Sequence, residues 1–374
     1  MAKPKIVIDA RMITREGHGI SLYVQDLIHG LARMRDASPL AYEPVFLIDA
    51  SMGPGTPGSA VWRGFATETV GVPFLNPREL VALPGVIRRL RPALYHSPSF
   101  SSLWWCPVPW LVTVHDLNHL IYGNWAHRAY YRAILRPFMR GARKLLTVSQ
   151  FSRSEIAKWL GMDPLTIEVV ENAIDFHEEK SDDAILERFG LRPGKYFFCA
   201  SHNKPHKNLP ILARAYDELG TNADWPLVLT THGVSSQNVK LIQTGNLSRP
   251  EFYALLKHAG TLVFPSVYEG FGRPPLEGLL AGVPVIVSDI PPHREALAEV
   301  QATEARFVIP LDVAGIAEAL RAAMRGELKK PSAATQAAIQ RRFSVESLAA
   351  KMDRIYRIML ETTATRALEH DKEL

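Results

Sequence analysis

The chain has 374 residues, 47% hydrophobic and 22% charged, the make-up of a soluble globular protein with length enough for two domains. Two cysteines, Cys106 and Cys199, are too few for a disulfide framework, and no uninterrupted apolar run reaches the roughly 18 residues of a membrane-spanning helix. The net charge of +5 lies wholly in residues 1–176, where 19 Lys and Arg face 14 Asp and Glu; this favours an anionic partner for that half but is too mild for nucleic acid.

The N-terminus MAKPKIVIDA runs directly into an apolar stretch without the layout of a signal peptide, so a cytoplasmic protein is expected. Short apolar runs at 6–9, 44–48, 93–96, 110–114, 145–148 and 167–170 alternate with longer segments of helical period, and a second such series begins at Tyr196. That alternation predicts βαβ units, hence an α/β fold with a parallel sheet in each half. Ligands on such sheets bind beyond the carboxyl ends of the strands, which directs attention to the residues after each run.

After the first run, the loop DARMITREGHGISLY leads to a helix beginning near Ile20, and Gly17 and Gly19 can bring backbone amides against a phosphate or form a flexible turn. Leu22 and Tyr23 stand where a dinucleotide fingerprint needs glycine, which argues against a nicotinamide enzyme. Residues 51–60 are a turn-rich loop without nameable chemistry. SFSSLWWCPVPW at 99–110 places three tryptophans after a strand, either as core or as a contact loop for an acceptor or a membrane. His115-Asp116 closes the next strand: the histidine can bond a sugar hydroxyl or phosphate or simply cap the strand, and the aspartate can fix its tautomer or cap the next segment.

Arg128, Arg132, Arg136 and Arg140 recur at fourfold spacing, on one face if the helix runs through Pro137, and that face is either solvated or set against an anionic membrane or lipid diphosphate. In TVSQFSRSEI, Ser149 or Ser152 caps a helix. A charged linker, DFHEEKSDD, then marks a domain boundary.

In the second half, Lys207 follows the strand beginning at Tyr196 and is placed as a point charge for a diphosphate. The segment from Thr261 to Asp289 carries the densest chemistry. Two apolar runs, 261–264 and 284–287, enclose a loop and a helix whose start holds Gly270, Gly272 and Pro274, so that the amides of Phe271, Gly272 and Arg273 point from a helix N-terminus at an anion or a hydroxyl. Glu269 and Glu277 frame this loop, and a carboxylate is a natural acceptor for the paired hydroxyls of a sugar.

The run E-G-F-G-x-x-x-x-E, with P-S-x-Y before it and A-G-V-P-V-I-V-S-D after it, resembles the donor-site signature of the family 4 retaining glycosyltransferases of GT-B fold. The resemblance implies two Rossmann-like domains with parallel sheets facing a central cleft. It places Glu269 against the transferred sugar, Phe271 and Gly272 at sugar and diphosphate, and Glu277 on the ribose, with Arg273 standing where an aliphatic residue is common. It also implies a glycine loop represented by Gly19, a donor-sugar contact at His115, and a diphosphate site at Lys207, where Pro205, Lys207 and Asn208 match but His206 and Ser201 stand in place of arginines. Leu247, between Asn246 and Ser248, borders the nucleobase pocket in the same scheme.

The expected division is 1–175 as the acceptor-side domain, 185–344 as the donor domain, 345–362 as a helix crossing back to the first domain, and 363–374 as a tail. The implied reaction moves a hexose from a nucleoside diphosphate sugar to a saccharide or lipid-linked acceptor, with no metal or other cofactor. V-H-D-L and V-S-x-F-S resemble bacterial polysaccharide and lipopolysaccharide mannosyltransferases, which favours mannose and GDP-mannose. An epimerase of the same fold and a catalytically silent nucleotide-sugar scaffold are the rival expectations.

Overall fold

A computed structural model describes residues 3–13, 19–53, 59–174, 181–221 and 223–373, with side chains to 363. Gly17, part of the 51–60 loop and much of the charged linker lie outside the described residues. The chain divides into two compact units, 1–175 with 343–374, and 176–342.

The first unit runs β1 (Lys5–Asp9), α1 (Gly19–Ala37), β2 (Glu43–Asp49), β3 (Ala66–Val70), α2 (Glu79–Leu90), β4 (Leu94–Ser97), β5 (Trp110–Val114), α3 (Asn118–Tyr122), α4 (Trp125–Tyr130), α5 (Arg136–Gly141), β6 (Lys144–Thr147), α6 (Gln150–Leu160) and β7 (Ile167–Val169). The second runs α7 (Ala184–Arg188), β8 (Phe197–Cys199), α8 (Leu209–Asp217), β9 (Leu227–Leu229), β10 (Leu241–Gln243), α9 (Arg249–Lys257), β11 (Thr261–Phe264), α10 (Arg273–Leu280), β12 (Val285–Ser288), α11 (Pro291–Ala296), β13 (Ala305–Val308), α12 (Val313–Met324) and α13 (Ala333–Arg342). The last helix, α14 (Val345–Glu373), belongs to the first unit.

Among the described residues, the first sheet has seven strands in the order β3-β2-β1-β4-β5-β6-β7 and the second has six in the order β10-β9-β8-β11-β12-β13. Every pairing is parallel, as Val7 beside Val45 and Val263 beside Ile286 illustrate. The fold class is therefore the α/β, two-domain GT-B architecture. Parallel strands covered on both faces need apolar residues on both, which is why β1, β5, β11 and β12 read as continuous apolar runs.

In the first unit, α1 and α14 cover one face of the sheet, with Leu27, Leu31, Met352 and Tyr356 packed on Ile6 and Ile8. Leu83, Ile87, Leu135 and Leu160 cover the other against Val7, Tyr95 and Val112. Gly30 lets α1 and α14 approach, since a Cβ there would run into the Val345 carbonyl oxygen and come 2.7 Å from the Ala349 Cβ. In the second unit, Leu212 and Tyr216 of α8 and Ile316 and Leu320 of α12 pack on Phe197, Leu227 and Val263.

Three local expectations change. The arginine series is not carried by one regular α-helix: a π-turn over Tyr131–Leu135 separates α4 from α5, closed by the Arg136 N–H donating to the Tyr131 carbonyl. The extra residue in that turn absorbs Pro137, which has no N–H to give, and rotates the residues beyond it, so that Arg128, Arg132 and Arg140 are exposed while Arg136 is half-buried. The tryptophan loop is core only in part: Trp104 is 71% exposed and Trp105 45% exposed, while Trp110 stacks on Phe138 at 5.6 Å against the core. The helix expected to end at 362, before a tail, instead runs to Glu373. Among the described residues no helix is long and apolar enough to cross a membrane.

Candidate active site

Lys207 is reached through a short 3-10 turn, Pro205–Lys207, just after β8. Asn208 closes the turn in the left-handed conformation, φ 59° and ψ 25°, a conformation asparagine tolerates better than most residues. Its side-chain amide donates to the carbonyl oxygens of Pro265, 3.1 Å away, and of Pro310, tying the turn to the ends of β11 and β13. The result is that Lys207 Nζ lies 2.6 Å from Glu269 Oε1 and 5.2 Å from the Phe264 ring.

Both side chains of this pair are mostly buried, 17% and 13% exposed. Burial works to raise the Glu269 carboxyl, but the Lys207 ammonium and its hydrogen bond outweigh it and hold Glu269 below the usual carboxylate range. Glu269 is thus an anion, and Lys207 its counter-ion.

Three residues on, Gly272 takes φ +90°, a region that favours glycine, and serves as the N-cap of α10. Pro274 and Pro275 have no N–H, so the backbone N–H groups at this helix start come from Gly272 and Arg273. Phe271 is buried at 5%. Glu277 lies one turn into α10, half-buried, with its Oε1 3.5 Å from Arg273 Nε. Lys207, Glu269, Gly272, Arg273 and Glu277 therefore gather at the carboxyl ends of β8 and β11 and the start of α10. A cation and a helix N-terminus suit a diphosphate there, and two carboxylates suit hydroxyls.

The other residues singled out from sequence are placed differently. His206 is 4% exposed, and its backbone carbonyl accepts from the Val267 N–H. Ser201 is nearly buried, its N–H donating to Thr230 Oγ1 at 3.0 Å. Leu247 is half-buried just before Ser248, which caps α9 in a reciprocal box with Glu251. Gly19 is the exposed first residue of α1, with open space where a Cβ would stand.

His115, in the first unit, is buried at 7% after β5. Its Nε2 lies 3.0 Å from the Pro98 carbonyl oxygen, which accepts and so places the proton on Nε2, and its ring meets Tyr23 edge-on at 4.8 Å. The neighbouring Asp116 accepts from the N–H of Asn118, the first residue of α3, at 2.8 Å. Of the two candidate caps for α6, Ser149 is the one used, at 3.0 Å from the Ser152 N–H, while the Ser152 hydroxyl bonds the His115 carbonyl.

Two features escaped the sequence reading. His293, in α11, lies against Gly272, and nothing in PPHREA marks it as different from any helical histidine. Asp9, Arg11 and Glu79 form a buried cluster, with Arg11 Nη2 at 2.8 Å from Asp9 and 3.0 Å from Glu79; a charged residue between apolar runs reads as a loop residue until the fold shows where it goes.

Comparison with known proteins agrees with this geometry. The family model described as Glycosyltransferase Family 4 matches residues 17–178, and that described as Glycosyl transferases group 1 matches 183–341. The O-antigen chain mannosyltransferase RfbU of Salmonella typhimurium is 29% identical over 200 residues, covering 50% of this chain and 54% of that protein, so the chain spans about half of that relative's length. O-antigen chain mannosyltransferase B of Escherichia coli is 25% identical over 314 residues, covering 76% and 79%. The structure of sucrose-phosphate synthase from Thermosynechococcus elongatus superposes with a TM-score of 0.72 at 15% identity, covering 96% and 100%, a likeness of fold alone. With the two family models together spanning nearly the whole described chain, and the E-G-F-G-x-x-x-x-E loop set at the start of α10, this chain belongs to the family 4 glycosyltransferases.

Proposed function

We propose that the protein transfers a hexose from a nucleoside diphosphate sugar to a glycan or lipid-linked saccharide, with retention at the anomeric carbon and without a metal ion. The observation that carries this reading is the pairing of Lys207 with Glu269 beside the N-terminus of α10. As the bond to the leaving diphosphate breaks, negative charge grows on its oxygens, and the Lys207 ammonium with the Gly272 and Arg273 amides stabilises it. Positive charge grows on the sugar, and the Glu269 carboxylate faces it. Glu277 takes the ribose hydroxyls. His115 enters as a sugar contact on the strength of the family resemblance alone.

The sugar is proposed as mannose, delivered as GDP-mannose, because two of the similar proteins are named mannosyltransferases. A peripheral contact with an anionic membrane is proposed for the first unit. Trp125 is 80% exposed on the helix that carries the exposed Arg128, and Trp104 stands on a loop tied to that helix by a 2.6 Å bond between Ser102 and Tyr130. Aromatic rings and guanidinium groups together suit a headgroup layer.

The test is thermal-shift screening of nucleoside diphosphates and sugar nucleotides, in which a binder at 100 times its dissociation constant adds about 2.7 kcal/mol. Incubation of the preferred donor with and without saccharide acceptors, with the product anomer assigned by NMR and EDTA present in a parallel arm, then reads transfer, stereochemistry and metal dependence. A new isomer formed from the donor alone would replace transfer by epimerisation.

A further inference from the structure

His293 is 1% exposed and stands in α11, just after β12. Its Nδ1 lies 2.9 Å from the Ser288 carbonyl oxygen, and since a carbonyl only accepts, Nδ1 carries the proton and Nε2 presents a lone pair. Nε2 is out of solvent and has no hydrogen-bond partner among the described residues. Burial lowers the imidazole's proton affinity, against the pull of Glu269, so the ring is a neutral body tethered at one edge.

The other edge of that ring meets the donor loop. A Cβ built on Gly272 would stand 2.9 Å from His293 Cδ2 and 3.0 Å from Nε2, at the limit of what real side chains show. The ring also lies 5.6 Å from Phe264, the same ring that Lys207 Nζ approaches at 5.2 Å. His293 thus fills the space that a side chain at Gly272 would need, next to the residue whose φ of +90° turns the loop into α10.

The geometry points to His293 as a positioning residue for the donor-sugar loop: anchored to β12 through Ser288, its ring fixes the height of Gly272 and so the aim of the amides that open α10. This rests on the donor-site reading above. Lys207 and Glu277 hold their places through Asn208 and through α10 itself, so His293 acts where the Gly272 and Arg273 amides meet the diphosphate and leaves the nucleoside end of the site alone.

Three variants of the full chain separate the ring's volume from its tether. His293→Ala removes both, His293→Asn keeps an amide that can donate to Ser288 but empties the far edge, and His293→Phe keeps the ring without its nitrogens. Ala and Asn are expected to lower kcat/KM for the sugar nucleotide at least tenfold while the Kd of the free nucleoside, which lacks the diphosphate, stays within twofold, and Phe recovers most of the loss. Gly272→Ala is expected to be at least threefold less harmful in the His293→Ala background than alone, because the ring it collides with is gone.

Unchanged kcat/KM in His293→Ala, a Phe variant as poor as Ala, strictly multiplicative effects in the double variant, or parallel losses of nucleoside and sugar-nucleotide affinity would each overturn the proposal. Should the Ala variant not fold, Phe against Asn decides. A wild-type chain that binds no nucleoside diphosphate sinks the donor-site reading itself, and this inference with it, without any variant being made.

Discussion

Lys207 Nζ and Glu269 Oε1 are 2.6 Å apart, so the cation assigned to the leaving group and the anion assigned to the sugar are held in register by one hydrogen bond. The Lys207 ammonium keeps Glu269 charged in a site that is mostly withdrawn from water.

Lys207→Ala is therefore expected to act twice. Turnover falls roughly a hundredfold or more, the usual cost of removing one charge-stabilising donor worth about 3 kcal/mol in the barrier. The fold also loses the pairing that keeps the Glu269 carboxyl below its ordinary range. A depressed carboxyl contributes stability that is present above its unfolded pKa, near 4.5, and is lost as pH falls through the lower folded value. Urea unfolding between pH 3 and pH 7 should show a smaller acid loss in the variant than in the wild type, whereas identical slopes would dissolve the pairing.

Glu277→Ala leaves Lys207 and Glu269 in place. Calorimetric titration with the nucleoside diphosphate is expected to show about tenfold weaker binding or more, the scale of one lost charge-assisted hydrogen bond, with kcat changed less than KM. A change confined to kcat would move Glu277 from the ribose to the chemistry.

The buried Asp9–Arg11–Glu79 cluster holds two carboxylates against one guanidinium. Burial, helped by Asp9 and only partly offset by Arg11, pushes the Glu79 carboxyl up to about 7. A raised carboxyl works in the opposite sense to Glu269: its contribution is fully present below its unfolded pKa, near 4.5, and is lost as pH rises through about 7. Glu79→Gln should flatten that decline between pH 5 and pH 8. Arg11→Ala strands both carboxylates and is expected to destabilise by about 3–5 kcal/mol, measured by urea unfolding.

At the crossing of α1 and α14, Gly30→Ala would press a methyl group onto the Val345 carbonyl and Ala349. Overpacking of this kind costs about 1–3 kcal/mol, and the melting temperature should fall accordingly. An unaffected melting temperature would mean that the two helices can part at no cost.

Trp104→Ala with Trp125→Ala is expected to reduce sedimentation with phosphatidylserine vesicles several-fold while leaving transfer to a soluble acceptor intact. Equal sedimentation by the double variant and the wild type would remove the aromatic face from any membrane contact.

The parallel α/β architecture is legible because strands buried on both faces must be written as short apolar runs. β3 escaped for the converse reason: ATETV is an edge strand, mostly half-exposed or exposed, and its polar residues hide it. The donor loop was legible because glycines, prolines and carboxylates at fixed spacing serve few other purposes. Its support was not. His293 and Arg11 act through contacts across some 20 to 70 residues of sequence, and spacing along the chain carries no trace of them. The π-turn before Pro137 was hidden likewise, since a single slipped hydrogen bond leaves the fourfold pattern of arginines intact in the sequence.

The packing of Leu348, Met352 and Tyr356 on β1 and α1 has a consequence for synthesis on the ribosome. The unit that begins with β1 lacks a wall of its own interior until α14 has been translated, while the stretch 176–342 comes out whole. Vectorial synthesis ordinarily lets the leading domain mature first. Here the leading half must wait, exposing greasy surface to chaperones and proteases, and the later half reaches its finished form ahead of it.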